Sequence, residues 1–300
     1  MGVFSKLAQL FGGGGKGKKK KKLPRVKIAS RFELGGQLGQ GSMSKVYRAR
    51  DLKLGRTVCL KVLDKEKTAK FEARWAGLNK PMEGEILSEL NHPNIVKTYE
   101  YGLTNLGEQY IVMELIDGPG LNFLIETRSD RLNGARVDLL IQAAEALDYM
   151  HKRGYLHRDI CPRNMMVTAD GVLKYIDFGL AIPYRPEFCK PGNRTGTPSY
   201  LAPEVIRRVP TDHRVDLFAL GVTAYEVFTG TLPWEHGQSE KVLLSHLNSP
   251  GRNPKEARPD LDDAVVRLLT KAIEREPARR FQTAAQFRDA LKALPNREKW

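Results

Sequence analysis

The period of the hydrophobic positions changes partway along the chain. Up to about residue 115 the texture is that of strands. Val58-Cys59-Leu60-Lys61-Val62-Leu63 and Tyr110-Ile111-Val112-Met113 are short runs bounded by polar residues. Alternating apolar residues begin at Arg31-Phe32, and one stretch of this part, Glu83 to Leu90, has helical spacing. From Arg136 onward the helical period dominates, in Ala143–His151, Val215–Thr229, Ala264–Ile273 and Ala284–Leu294. A β-rich first part followed by a helical second part predicts an α+β, two-lobed architecture with a ligand cleft between the lobes. The expected boundaries are 1–31 for a basic, largely disordered tail, 32–116 for the small lobe and 117–300 for the large one. The chain ends soon after its last helical stretch, so no sensor domain is expected.

Composition narrows the class. An apolar fraction of 41% and a charged fraction of 28% are those of an ordinary globular chain, which excludes a wholly disordered or collagen-like protein. No stretch of 18 apolar residues is present, and no secretory signal is expected. Cys59, Cys161 and Cys189 are an odd, scattered set without a CxxC pair, expected as reduced thiols in a cytoplasmic chain and not as a disulfide frame or a zinc site.

The formal net charge of +14 is mostly in the tail: residues 1–31 hold ten of the 49 Lys and Arg and none of the 35 Asp and Glu. Val3, Phe4, Leu7, Ala8 and Phe11 fall at helical spacing, Gly12–Gly15 end any helix, and Lys16–Lys22 is interrupted only by Gly17. An apolar stub beside a polybasic run is a two-signal anchor for an anionic membrane surface, which would place residues 1–27 at the inner membrane face. The N-myristoylation pattern is not met, because position 6 is Lys6. A solvated linker is the plainer reading. Nucleic-acid contact is unlike this run, which has no interleaved aromatics.

Candidate chemistry begins at Leu38-Gly39-Gln40-Gly41-Ser42-Met43-Ser44-Lys45-Val46, a glycine-rich turn whose backbone N–H groups can approach phosphates; alone it is equally a plain hairpin. Lys61 shares a strand face with Cys59 and Leu63, where its charge needs a partner, and Glu83 is the candidate. Tyr155-Leu156-His157-Arg158-Asp159-Ile160-Cys161-Pro162-Arg163-Asn164 places Asp159 and Asn164 in one proline-containing loop. The first can accept a proton and the second can offer an amide oxygen to a hard cation; the bland alternative is a charged surface loop. Ile176-Asp177-Phe178-Gly179 ends a strand on a carboxylate, and Gly196-Thr197-Pro198-Ser199-Tyr200-Leu201-Ala202-Pro203-Glu204 follows.

Taken in order, the glycine-rich turn, Val58–Lys61, His157-Arg158-Asp159…Asn164, Asp177-Phe178-Gly179 and Ala202-Pro203-Glu204 resemble the protein-kinase signature set, over roughly residues 30 to 295. The likeness is to eukaryotic-like serine/threonine kinases of bacteria and implies the two-lobed kinase fold with one regulatory helix in the small lobe. Asp216 resembles the residue that anchors the catalytic loop, and Arg280 the arginine that pairs with Glu204. The implied activity is transfer of the ATP γ-phosphate to Ser or Thr hydroxyls of protein substrates, with ATP and Mg²⁺ as cofactors and with autophosphorylation. Asp159 would be the base, Lys61 would hold the phosphates and pair with Glu83, and Asn164 and Asp177 would hold Mg²⁺. Leu38, Gly39, Gln40, Gly41, Ser42 and Ser44 would cover the phosphates. Val46, Cys59 and Met166 would sandwich adenine beside Met113, with backbone groups of Glu114 and Ile116 reading its edge.

The chain departs from the pattern at several places. Cys161 stands where such kinases carry a lysine, and a thiol supplies no charge to the γ-phosphate; Arg163 is the expected stand-in. This keeps an alternative open, an ATP-binding pseudokinase acting as a scaffold. A small-molecule kinase on the same fold is disfavoured by the peptide-binding segment Gly196–Glu204. Pro81 is expected in the first turn of the Glu83 helix, where it would shorten that helix at its start. Arg158 beside Asp159 suggests activation-loop phosphorylation, with Thr195 as the acceptor and Thr197 serving structure near Asp159; ordering of the loop by packing alone is the alternative.

Overall fold

Alternation along Arg56–Leu63 gives the first lobe two apolar faces. Val58 and Leu60 point to one side and pack with Phe32, Ala49, Tyr110 and Val112. Leu63 and the half-buried Cys59 point to the other, into the larger core, and Lys61 shares their face. The computed structural model, which describes residues 23–192, 194–234 and 240–300, wraps a six-stranded sheet around this strand. Its members are β1 (Arg25–Val26), β2 (Phe32–Gln40), β3 (Ser44–Asp51), β4 (Arg56–Leu63), β5 (Thr98–Thr104) and β6 (Gln109–Met113). Their spatial order is β1-β5-β6-β4-β3-β2. The β2–β3 connection is the glycine-rich turn, closed by Gly41 N–H donating to Ser44 O at 2.9 Å.

The end of the expected tail is part of the fold. β1 pairs in parallel with β5, Leu103 N–H donates to Pro24 O at 3.0 Å, and Asn105 N–H donates to Val26 O at 2.9 Å. Arg31 is buried and donates to both oxygens of Asp51, at 3.1 and 2.8 Å, and to Glu100. Its partners lie 20 and 69 residues downstream, so a reading of local charge sees only another cation. Residues 1–22, which include the apolar stub and Lys16–Lys22, lie outside the described residues.

The small lobe holds two helices where one was expected. α1 (Lys65–Glu72) starts at Asp64, whose side chain accepts from Lys67 N–H. It is mostly charged, burying only Thr68 and Phe71, so it carries little apolar period. The second, α2 (Glu83–Glu89), begins after Pro81 and not around it: Met82 is the N-cap and the proline lies outside the first turn. Gly84 lets α2 lie directly on β5, since a Cβ there would sit 2.4 Å from that of Tyr101.

The second lobe is built on α3 (Arg136–Lys152), α4 (Arg214–Thr229), α5 (Asp263–Ala272) and α6 (Ala284–Lys292). α4 is apolar nearly all round and is buried along almost its whole length, as such a helix must be. Four short strands, β7 (Tyr155–Leu156), β8 (Met165–Val167), β9 (Leu173–Tyr175) and β10 (Ile182–Pro183), pair as β7 with β10 and β8 with β9. Among the described residues no helix is long and apolar enough to cross a membrane.

Arg280 locks the lobe together. It is 2% exposed and grips Glu204 through two bonds of 2.7 and 2.8 Å. Its remaining N–H groups reach the carbonyls of Glu274, Arg275 and Arg214. Removing the carboxylate strands a guanidinium in the core. Glu204→Ala is therefore expected to cost about 3–5 kcal/mol, read as a lower midpoint of urea unfolding; an unchanged midpoint would overturn this assignment.

Candidate active site

Lys61 on β4 lies opposite Val46 on β3 and Ile111 on β6, in the middle of the sheet. Its ammonium is buried and meets Glu83 Oε1 at 2.7 Å and Asp177 Oδ1 at 2.9 Å. Burial works against the lysine charge, but Asp177 and Glu83 outweigh it and hold the pKa above the usual lysine value. Glu83 is itself buried, and burial keeps its carboxyl above the ordinary range despite Lys61. Glu83 Oε1 also accepts from Phe178 N–H at 3.2 Å. One carboxylate thus fastens α2, β4 and the segment after β9 to one another. Phe178, 1% exposed, packs on His157 at 4.8 Å between ring centres.

The β8–β9 hairpin brings Asn164 beside Asp177. Met165 lies opposite Tyr175, and Ile176 N–H donates to Asn164 O at 3.1 Å. Asn164 Nδ2 donates to Asp159 O at 2.8 Å and to Asp159 Oδ2 at 2.9 Å. The other oxygen, Oδ1, accepts from both the N–H and the hydroxyl of Thr197, each at 2.8 Å. Both faces of the Asp159 carboxylate are thereby held. Gly196 makes this possible: its φ is +128°, and a Cβ would meet Arg158 O at 2.8 Å and Leu201 Cδ2 at 2.9 Å. Arg158 itself adopts φ 67°, a left-handed geometry costly for a non-glycine residue.

That loop is fixed from below by Asp216 on α4. Its carboxylate accepts from His157 N–H at 2.9 Å, Arg158 N–H at 2.7 Å and His151 Nε2 at 2.9 Å. Burial would raise its pKa, but the His151 bond and neighbouring charges outweigh it and hold the acid below the usual carboxylate range. Cys161 is 1% exposed, with its sulfur 3.8 Å from Thr197 Oγ1. Burial pushes the thiol up to about 12, so it is neutral and adds no negative charge beside Asp159. Arg163, on the same loop, is exposed.

These residues and spacings are those of one family. Residues 32–291 match the protein kinase domain. The chain belongs to the protein kinase family. It is 33% identical over 284 residues to the serine/threonine-protein kinase pkn3 of Myxococcus xanthus, an alignment covering 89% of this chain and 50% of the relative. It is 34% identical over 283 residues to the serine/threonine-protein kinase PknB of Mycobacterium tuberculosis, covering 90% of this chain and 44% of the relative. The chain thus spans half or less of the length of these relatives.

The remaining expected site residues divide by position. Gly41, Ser42 and Ser44 line the cleft with Lys61 and Asp177, whereas Leu38, Gly39 and Gln40 are exposed along β2. Cys59 lies opposite Met113, and the half-buried Met166 bridges to Gly120. Ile116 packs on the core, and Glu114 accepts from Lys97 N–H and Lys174, at 2.8 and 2.7 Å. Thr195 is half-buried. No cluster of three or more His, Cys, Asp or Glu that could hold a metal occurs among the described residues. Asn164 keeps its amide oxygen and Asp177 keeps Oδ2 clear of the bonds described above. One amide and one carboxylate oxygen are too few to cage an ion, but they fit Mg²⁺ that shares phosphate oxygens.

His151 was not foreseen. Its only sequence signal is its place in the last turn of α3, and its partner lies 65 residues away. Asp216→Asn is expected to cost about 3 kcal/mol near neutral pH by weakening charge-assisted bonds. The advantage of wild type is fully present above the unfolded carboxylate value, about pH 3.9, and is lost as pH falls through the lower folded value. Urea titrations of both proteins between pH 2 and 7 check this; a gap that does not narrow in acid would overturn it.

Proposed function

We propose that this chain is a protein serine/threonine kinase that moves the γ-phosphoryl group of ATP to a hydroxyl of a protein substrate. The observation that carries the reading is the Asp159 carboxylate, oriented on one oxygen by Thr197 and on the other by Asn164, beside an assembled Lys61–Glu83–Asp177 set. In this reading residues 32–116 cover the nucleotide and residues 117–300 hold the substrate. Val46, Cys59 and Met166 enclose adenine beside Met113, backbone groups of Glu114 and Ile116 bond its edge, and the Leu38–Ser44 turn covers the phosphates. Lys61, held by Glu83, takes phosphate oxygens. Asn164 and Asp177 would be the protein ligands of Mg²⁺, which when bound with the nucleotide would supply positive charge against its phosphates.

Asp159 accepts the proton of the substrate hydroxyl as that oxygen bonds the γ-phosphorus. The bond from phosphorus to the β,γ-bridging oxygen breaks, and ADP leaves with that oxygen. Arg163 supplies the cation that the buried, neutral Cys161 does not. Preorganised charge aimed at the transferring group is where most of such a rate enhancement arises. The Gly196–Tyr200 segment and the names of the relatives support Ser/Thr specificity, and Thr195 is the proposed autophosphorylation site. The scaffold reading rests on Cys161 alone.

Labelled-phosphate transfer to a generic acceptor tests this. Asp159→Asn is expected to lower turnover at least a thousandfold while leaving nucleotide affinity within about threefold. Arg163→Ala is expected to lower kcat more than it raises KM for ATP, because the charge matters most in the transition state. Wild-type turnover by the first variant would overturn the mechanism, and by the second the stand-in.

We also infer that residues 1–27 bind an anionic membrane surface. Eight Lys or Arg between residues 16 and 27, at about 1 kcal/mol each near such a surface, support the reading. Cosedimentation with phosphatidylserine-containing vesicles is expected to be strong, salt-sensitive and lost on deleting residues 1–22. Equal sedimentation of the truncated chain would overturn it.

A further inference from the structure

A cavity lies beneath the Gly41–Ser44 turn, on the α1 side of Lys61. Its charged lining is Lys61, Glu72, Lys80, Glu83 and Asp177. Without Lys80 it would set one cation against three carboxylates, a poor seat for a polyphosphate. Lys80 is half-buried in the segment between α1 and α2. Pro81 keeps that segment out of α2 and disfavours a helical conformation at Lys80 itself. The ammonium lies 5.7 Å from the centre of the Phe71 ring, and its one described hydrogen bond is a 3.3 Å contact to Pro81 O. Among the described residues no carboxylate lies within salt-bridge distance of it. Glu72 and Glu83 attract it from α1 and α2, but burial outweighs them and lowers its pKa below the usual lysine value.

One further group there can donate to an anion: Thr68, only 7% exposed, lines the same cavity, and its Oγ1 has no hydrogen-bond partner among the described residues. A partly desolvated ammonium without a close counter-ion, facing the glycine-rich turn across from Lys61, is arranged to receive an anion.

We propose that Lys80 is a second phosphate-contacting cation, which together with Lys61 holds the terminal phosphates of the nucleotide under the glycine-rich turn. The inference rests on the nucleotide-binding reading above and adds a residue to it. Calorimetric titration of the full chain with Mg-ATP and with adenosine tests it, because adenosine keeps the base contacts and lacks the phosphates. Lys80→Met is expected to weaken Mg-ATP about tenfold and to leave adenosine within twofold. Lys80→Arg, which keeps the charge, is expected to hold Mg-ATP within threefold of wild type, and Lys80→Gln serves if the Met variant fails to fold. Unchanged Mg-ATP affinity in the neutral variants would overturn the proposal, as would parallel loss of Mg-ATP and adenosine, which is the mark of a structural residue. A wild-type chain that binds neither ligand would instead overturn the nucleotide-binding reading itself.

Discussion

A lysine buried in the middle of a sheet cannot stand alone, and much of this structure answers that constraint. Taking the Lys61 charge out of water costs several kcal/mol unless carboxylates meet it. Glu83 and Asp177 do so from elements 22 and 116 residues away. Each is placed by the rest of the fold: α2 lies close on β5 because residue 84 is glycine, and Asp177 follows a strand registered against β8. The ion set is therefore as much a statement about lobe arrangement as about chemistry. Disturbing helix, hairpin or sheet exposes or isolates one of its charges.

A second joint is apolar. Trp75, just after α1, packs on Phe188 with ring centres 5.4 Å apart, in a cluster with Leu156, Ile182 and Cys189. The guanidinium of Arg158 lies 5.9 Å from the centre of the Trp75 ring. The small lobe thus touches the segment after Asp177 through packing as well as through ions.

Much of the fold was legible because the two lobes use different periods. Val58–Leu63 and Val215–Thr229 could not exchange roles: one alternates, and the other is apolar nearly all round. α1 was missed because Lys65–Glu72 is mostly charged, although Asp64 was an available cap signal. Pro81 was read into the first turn of α2 although it lies just before the Met82 N-cap, since composition does not say whether a helix waits for its proline to pass. The motif residues were legible singly, but their meeting was not. The need for a counter-ion offered Glu83 as a candidate partner for Lys61, and the resemblance turned that candidate into an expected pair. Lys80, His151 and Arg31 had no resemblance to mark them. Their significance lies in long-range partners or in an enclosed space, neither of which has a local pattern.

The strand at Arg25–Val26 has a mechanical consequence. It occupies one edge of the sheet, while the glycine-rich hairpin occupies the other. Yet only residues 27–31, with a helical turn at Ile28–Arg31, separate β1 from the start of β2, and Val26 and Phe32 pack in one cluster, so the curled sheet brings its two edge strands together there. Whatever takes hold of the preceding residues therefore pulls on a strand that leads within five residues into β2, the outer strand of the glycine-rich hairpin. The parallel ladder with β5 carries that load in shear, along the strand axis. What stands between that pull and the hairpin is Arg31, whose bonds to Asp51 and Glu100 pin the chain just before β2 begins.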